Sequence, residues 1–196
     1  DAPVSQFDKD DVEAVGLVKF DFLGLTTLTI LDWTLRYIRR LDPQYSLALQ
    51  DLPIDDKGAY EIFRTANTAA VFQFESRGMR DLLLRAPPAR FEDIIALVAL
   101  YRPGPMKLIP EYIERKMGRR RFDYVDARLE PILAPTHGVM VYQEQVMQIA
   151  QSIGGYTLGA ADLLRRAMGK KKKEEMARHR SIFVAGAEKN GVATGR

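Results

Sequence analysis

The sequence predicts a mainly α fold with a short β segment near its start. Three observations carry this. Apolar residues return at helical spacing along most of the chain, as in Leu28, Leu31, Leu35 and Ile38. Capping and stop residues bracket those segments. Strict alternation occurs in one place, Gly16-Leu-Val-Lys-Phe-Asp-Phe-Leu-Gly24, where Leu17, Lys19 and Asp21 share one face and Val18, Phe20 and Phe22 the other.

Bulk composition sets the outer bounds. A chain of 196 residues, 46% of them apolar, can bury a real core as one large domain or two small ones. The net charge of +3 is mildly basic and suggests an anionic partner. With no cysteine, disulfides, thiolate zinc sites and a Cys nucleophile are excluded. The two histidines, His137 and His179, are too few for a His-rich metal site. No apolar run is long enough to span a membrane and the start is no signal peptide, so a soluble intracellular protein is expected. A start without Met and an end in VATGR read as a piece cut from a longer protein.

Taken in order, residues 1–15 are polar and acidic. In the alternating segment, Lys19 and Asp21 stand side by side. A surface ion pair is the commoner reading; the functional one is a carboxylate holding a divalent metal, with a lysine to meet the ligand's charge. Gly24 turns the chain, and Thr26 or Thr27 caps a helix to about Arg40, with Trp33 and Tyr37 one turn apart. Asp42-Pro43 ends it. After a loop over 43–54, Asp55 caps a helix to about Thr65 that buries Tyr60, Ile62 and Phe63.

A short apolar run at 69–74 precedes Ser76, the cap of a helix ending near Arg85, and Pro87-Pro88 breaks the chain. Arg90 to Tyr101 is apolar nearly all round, which predicts a central helix. It ends in Arg102-Pro103-Gly104-Pro105, a rigid turn with one arginine. Ile109 to Met117 is a helix running into Gly118-Arg119-Arg120-Arg121, a basic cluster joined by Arg115 and Lys116. Pro131 and Pro135 bracket a short helix or turn, His137 reads as a turn histidine, Gly138 to Tyr142 as a possible strand, and Gln143 to Ile153 as a helix. The tally is about nine helices and two or three tiny strands.

Thr157 to Arg180 is the most charged stretch, with eight Lys or Arg against three acids. Thr157 caps a helix that Gly169 stops, and a second helix starts in the lysine run and ends at Asn190-Gly191. Lys170, Lys171, Lys172 and Lys173 then sit near a helix N-terminus, where the macrodipole disfavours each by roughly 0.3–1 kcal/mol. An anion, also faced by Arg165 and Arg166, would account for that placement. The ordinary reading, a solvated charge run, is commoner on composition alone. No P-loop, GxGxxG, nucleophile elbow or HExxH is present, so hydrolase and dehydrogenase readings lack support.

Five strings in order narrow this further: VKFDFLGL at 18–25, AVFQFESRGM at 70–79, ALVALYRPGP at 96–105, YQEQVMQIAQ at 142–151 and GAADLLRRAMGKKK at 159–172. Together they closely resemble the α subunits of bacterial DNA polymerase III, the C-family replicative polymerases. The resemblance implies a helical fingers domain over 27–196 and, over 1–26, the edge of a nucleotidyltransferase-type palm. It implies DNA-directed DNA synthesis in the bacterial cytoplasm with two Mg²⁺ ions. Asp21 maps to the third catalytic, metal-binding aspartate. Lys19 maps near the incoming dNTP, and Arg165 and Arg166 map to fingers contacts with its phosphates. Arg102 is a further dNTP candidate, and bracing of its turn would explain it equally well. Lys170 to Lys173 would meet template or primer phosphates.

The implied partners are DNA primer-template, dNTP, the other domains of the α subunit, and the sliding clamp and other replisome subunits; no membrane is implied. The family's other two palm aspartates, its thumb and its clamp-binding region have no counterpart in these 196 residues. The isolated chain is therefore expected to be inactive. An error-prone paralogue of the polymerase shares these strings. A stand-alone helical nucleic-acid-binding module and a purely structural helical domain are the competing readings from different classes. Without its partner strands the β segment should be poorly ordered, re-paired with another chain, or packed differently. The expected core is Leu28, Leu31, Leu35, Phe63, Ile94, Leu97, Val98, Val146, Ile149 and Leu164.

Overall fold

A computed structural model describes residues 3–170 and 173–193, which divide between two compact units, 1–52 and 53–196. The first unit holds two helices, α1 (Lys9–Ala14) and α2 (Thr26–Leu41). Asp8 caps α1, its carboxylate accepting from the amides of Asp10 and Asp11, with more acid in the first turn. The sequence marks this stretch only as polar and acidic. In α2, Trp33 and Tyr37 pack at 5.8 Å as their spacing predicts, and Arg36 lies over the Trp33 ring.

Three expectations fail in this unit. Residues 17–22 are not a strand, and no strand occurs among the described residues. Alternation creates two faces, but a strand also needs a partner for its amides and carbonyls, and none is present among those residues. Leu28 and Leu31 are exposed and Leu35 only half-buried, because the unit has no second packed layer to cover α2. Nor does Thr26 or Thr27 cap that helix. Leu25 occupies the cap position and no side chain bonds there.

The second unit carries α3 (Lys57–Arg64), α4 (Arg77–Arg85), α5 (Phe91–Leu100), α6 (Ile109–Lys116), α7 (Glu130–Leu133), α8 (Gln143–Ser152), α9 (Leu158–Lys170) and α10 (Lys173–Lys189). Asp56, one residue later than expected, caps α3 by accepting from the Ala59 amide. Tyr60 and Phe63 of α3 are half-buried, whereas Ile62 stays exposed. Ser76 caps α4 as predicted, accepting from Met79.

The first core gathers Met79, Leu82 and Leu83 of α4, Leu97 and Leu100 of α5, and Tyr112 and Ile113 of α6, with Phe63, Ile94 and Val98 packed against it. The largely apolar α5 is central, as read from the sequence. Phe63 and Phe74 meet edge to face at 5.0 Å, which closes the 69–74 run onto this core.

Gly138 to Tyr142 is not a strand either, for a local reason. The amides of Val141 and Tyr142 both donate to Gln145 Oε1, at 2.8 and 2.9 Å, and so start α8 instead. Buried Gln145 also donates to the Ile132 carbonyl and to Thr136 Oγ1, which ties α7 to α8.

The second core joins α8, α9 and α10 through Ala150, Tyr156, Ala161 and Leu164, with Val146, Met147 and Phe183 against it. Ile149 is half-buried. Thr157 caps α9 as predicted, accepting from Ala160. Gly169 lies in the last turn of that helix, one residue before its end at Lys170. At the far end of α10, Gly191 takes φ +81° and Val192 donates back to Ala187, the stop read from Asn190-Gly191.

Gly186 fixes how closely α10 approaches the α8–α9 link. A Cβ there would lie 1.9 Å from the Gly154 carbonyl oxygen, a backbone atom. Gly186→Ala is therefore expected to destabilise the second unit by about 1–3 kcal/mol, despite alanine's better helix propensity. Urea denaturation checks this, and a gain in stability would contradict the close packing.

Candidate functional site

The residues singled out by sequence fall into two groups, one in each unit. In the first unit, Lys19 Nζ lies 3.2 Å from Asp21 Oδ1, with both side chains well exposed. The side-by-side placement thus persists without a strand. Among the described residues no group of three or more His, Asp or Glu that could hold an ion is present, at Asp21 or elsewhere.

In the second unit, Arg165 and Arg166 share one anchor. Asp162 stands three and four residues earlier on α9, so all three side chains lie within one turn. Arg165 donates to Asp162 Oδ1 through Nε at 2.9 Å and through a terminal nitrogen at 2.7 Å. Arg166 Nε lies 2.8 Å from the other carboxylate oxygen. The hydrogen bond from Arg165, aided by the charge of both arginines, holds the Asp162 carboxyl below its ordinary pKa. One anion against two cations leaves a formal charge of +1.

The arginines diverge beyond that anchor. Arg165 reaches Gln143 Oε1 on α8 at 3.2 Å, while Arg166 lines a cleft between α9 and α10. Asp162 and Gln143 were missed by sequence reasoning. The i,i+3 and i,i+4 spacing of Asp162 was a readable signal for the first; nothing in the sequence pointed to the second.

The lysine run is only partly described. Lys173 opens α10 and has Glu174 and Glu175 in the same first turn. Lys171 and Lys172, and the side chain of Lys170, lie outside the described residues, whereas Lys173 is exposed. Arg102 is exposed, and its Nε donates to the Ala99 carbonyl at 2.9 Å, which braces the end of α5.

The second basic cluster is not a single cationic surface. Arg115 pairs with Glu111 and lies over the Phe122 ring, and Arg119 pairs with Glu114. Lys116 is buried and bonds Asp93 Oδ2 at 2.6 Å. His137 is the turn residue expected, with φ +54°, and its Nε2 comes within 3.8 Å of Asp93 Oδ1.

The fold and these cations define a class: a helical domain with two neighbouring arginines steadied on one carboxylate. Residues 27–191 match the family described as bacterial DNA polymerase III alpha subunit finger domain. Similar curated proteins include the DNA polymerase III subunit alpha of Xylella fastidiosa (strain 9a5c), 60% identical over 97% of this chain and 16% of that protein. That of Escherichia coli K12 is 56% identical over 97% of this chain and 17% of its own length. That of Neisseria meningitidis serogroup B is 58% identical over 98% and 17%. The chain belongs to the bacterial DNA polymerase III alpha-subunit finger family, and it spans about one sixth of the length of these curated relatives.

Proposed function

We propose that this chain is the nucleotide-facing part of a bacterial DNA-directed DNA polymerase, and that Arg165 and Arg166 bind the triphosphate of the incoming dNTP. The observation that carries this reading is the sharing of Asp162 by both arginines. Holding a guanidinium in place removes much of the rotamer entropy that phosphate binding would otherwise cost. The remaining N–H groups can donate to β- and γ-phosphate oxygens, and the net positive charge offsets the charge carried by those oxygens. Gln143 keeps Arg165 turned towards α8.

In this reading Lys19 lies near the triphosphate and Asp21 is the catalytic aspartate. The described residues do not fit a complete Mg²⁺ site, because Asp21 pairs with Lys19 and belongs to no group of three or more potential ligands. Asp21 would supply one ligand, with the others coming from further palm carboxylates. Two Mg²⁺ ions held by such a completed site would supply charge stabilisation at the reacting phosphate. Lys173 and its lysine neighbours would meet phosphates of the primer-template. Arg102 serves chiefly to brace α5. Further domains of the polymerase, the sliding clamp and other replisome subunits would complete the cytoplasmic assembly.

The reading predicts that the 196-residue chain alone extends no primer. Extension by the same fragment, measured with a labelled primer-template and Mg²⁺, would refute the division of the metal site. Asp21→Asn in the polymerase that contains this segment should abolish extension. Retained activity there would remove Asp21 from the catalytic set.

A further inference from the structure

We propose that Asn190 is a latent deamidation site, kept unreactive by the junction of α10 with the end of α8 and converted when that junction opens. Asn190 follows the last residue of α10 and is itself followed by Gly191, which has no Cβ to hinder attack by its amide nitrogen. The chemistry needs only water. The Gly191 nitrogen gives up its proton to solvent base and attacks Asn190 Cγ; the Cγ–Nδ2 bond breaks and ammonia leaves with a proton. Water then opens the resulting succinimide at either carbonyl, to give aspartate or isoaspartate. Water enters and ammonia departs in equal amounts, and nothing is oxidised or reduced.

Asn190 is exposed, so solvent has access and geometry must supply the restraint. Each reacting group is already engaged. Asn190 Nδ2 donates to the Ile153 carbonyl, just beyond α8, at 3.0 Å. The Gly191 amide donates to the Glu188 carbonyl at 3.0 Å, with Gly191 at φ +81°. The Asn190 carbonyl accepts from Arg128 at 3.2 Å, and the same guanidinium nitrogen donates to the Ser152 carbonyl at 3.4 Å. Arg128 is fixed in turn by a two-pronged pair with Asp126, at 2.8 and 2.7 Å. Gly155 completes the seat: a Cβ there would lie 3.0 Å from Asn190 Nδ2. Attack requires the Asn190 side chain to leave Ile153 and the Gly191 amide to leave Glu188, so the end of α10 has to open first. Conversion then disfavours reclosure, because a carboxylate at position 190 cannot donate to the Ile153 carbonyl and repels it.

The test follows the amide-to-acid conversion of the tryptic peptide 190–196 by mass spectrometry, after incubation of this chain at mildly alkaline pH. In guanidinium chloride, the unaltered chain and Arg128→Ala should convert at the same rate. In buffer, the unaltered chain should convert about ten- to a hundredfold more slowly than in denaturant, the scale of a local opening that breaks a few such bonds. Arg128→Ala should recover about tenfold of that rate in buffer, as the loss of a charged hydrogen bond allows. Arg128→Lys, milder for the fold, should fall between the two. Leu97→Ala, which weakens the first core instead, should leave the rate in buffer unchanged. A folded chain that converts as fast as the denatured one overturns the proposal, and so does an unchanged rate in both Arg128 variants. Equal acceleration by Leu97→Ala would overturn it as well, since global unfolding and not the junction would then set the rate.

Discussion

Lys116→Met is expected to cost about 3–5 kcal/mol in stability of the second unit. Asp93 sits on the first turn of α5, only 1% exposed, and Lys116 at the end of α6 is 8% exposed. Their 2.6 Å bond is the main neutralisation of a carboxylate that also accepts the Ala89 amide at 2.9 Å. Arg90 stands further off, at 3.7 Å. Removing the ammonium while keeping the methylene stem isolates the electrostatic loss from the packing loss. Asp93→Leu with Lys116→Met should recover part of the cost, because the uncompensated charge is then gone.

The same pair predicts a pH dependence. Burial alone would raise the Asp93 pKa. The His137 ring, Lys116 and the Ala89 amide outweigh burial and hold it well below the usual carboxylate range. A depressed folded-state pKa means that the unfolded chain takes up the proton first as pH falls. The stability from Asp93 is thus full above its unfolded pKa of about 3.9 and is lost progressively below it. In Lys116→Met that depression shrinks, so the stability gap between variant and unaltered chain should narrow from pH 6 towards pH 2. Urea melts across that range check both points. A variant within about 0.5 kcal/mol of the unaltered chain at pH 6 would show that the pair carries little.

Leu97→Ala should cost about 2–5 kcal/mol. Leu97 is fully buried at the middle of α5, within the cluster that also takes in Leu83, Leu100 and Tyr112. Helices α4, α5 and α6 all contribute to that cluster, so the site cannot collapse without moving several backbones. The cavity term should therefore add to the transfer term, placing the value in the upper part of the range. Chemical denaturation gives the number, and a cost under about 0.5 kcal/mol, the surface range, would contradict the central position of α5.

What could be read in the sequence was mostly local. Ser76, Thr157 and Asn190-Gly191 announce helix ends through short-range bonds, and α5 announces its burial through composition. What could not be read depends on distant partners. The alternating 17–22 pattern implies a strand only if another strand is there to pair with it. Leu28 and Leu31 form a proper helical stripe, yet nothing in their unit covers them. Lys116 looked like part of a basic patch because its carboxylate lies 23 residues earlier in the chain.

The site divides in the same way. Lys19 beside Asp21 and Arg165 beside Arg166 are close in sequence and were legible. Asp162 was legible from spacing and was overlooked. The divergence of the two arginines depends on Gln143 and on the α9–α10 cleft, which only the packing of three helices creates.

The most direct test of the central claim is calorimetric titration of this chain with dNTP and Mg²⁺, beside the Arg165→Ala/Arg166→Ala variant. The account predicts weak binding by the unaltered chain and its loss in the variant, because the arginines anchored on Asp162 form the fingers half of the triphosphate site. Equal binding by both proteins would contradict it and move the phosphates elsewhere, and no binding by either would show that these arginines do not hold a nucleotide on their own.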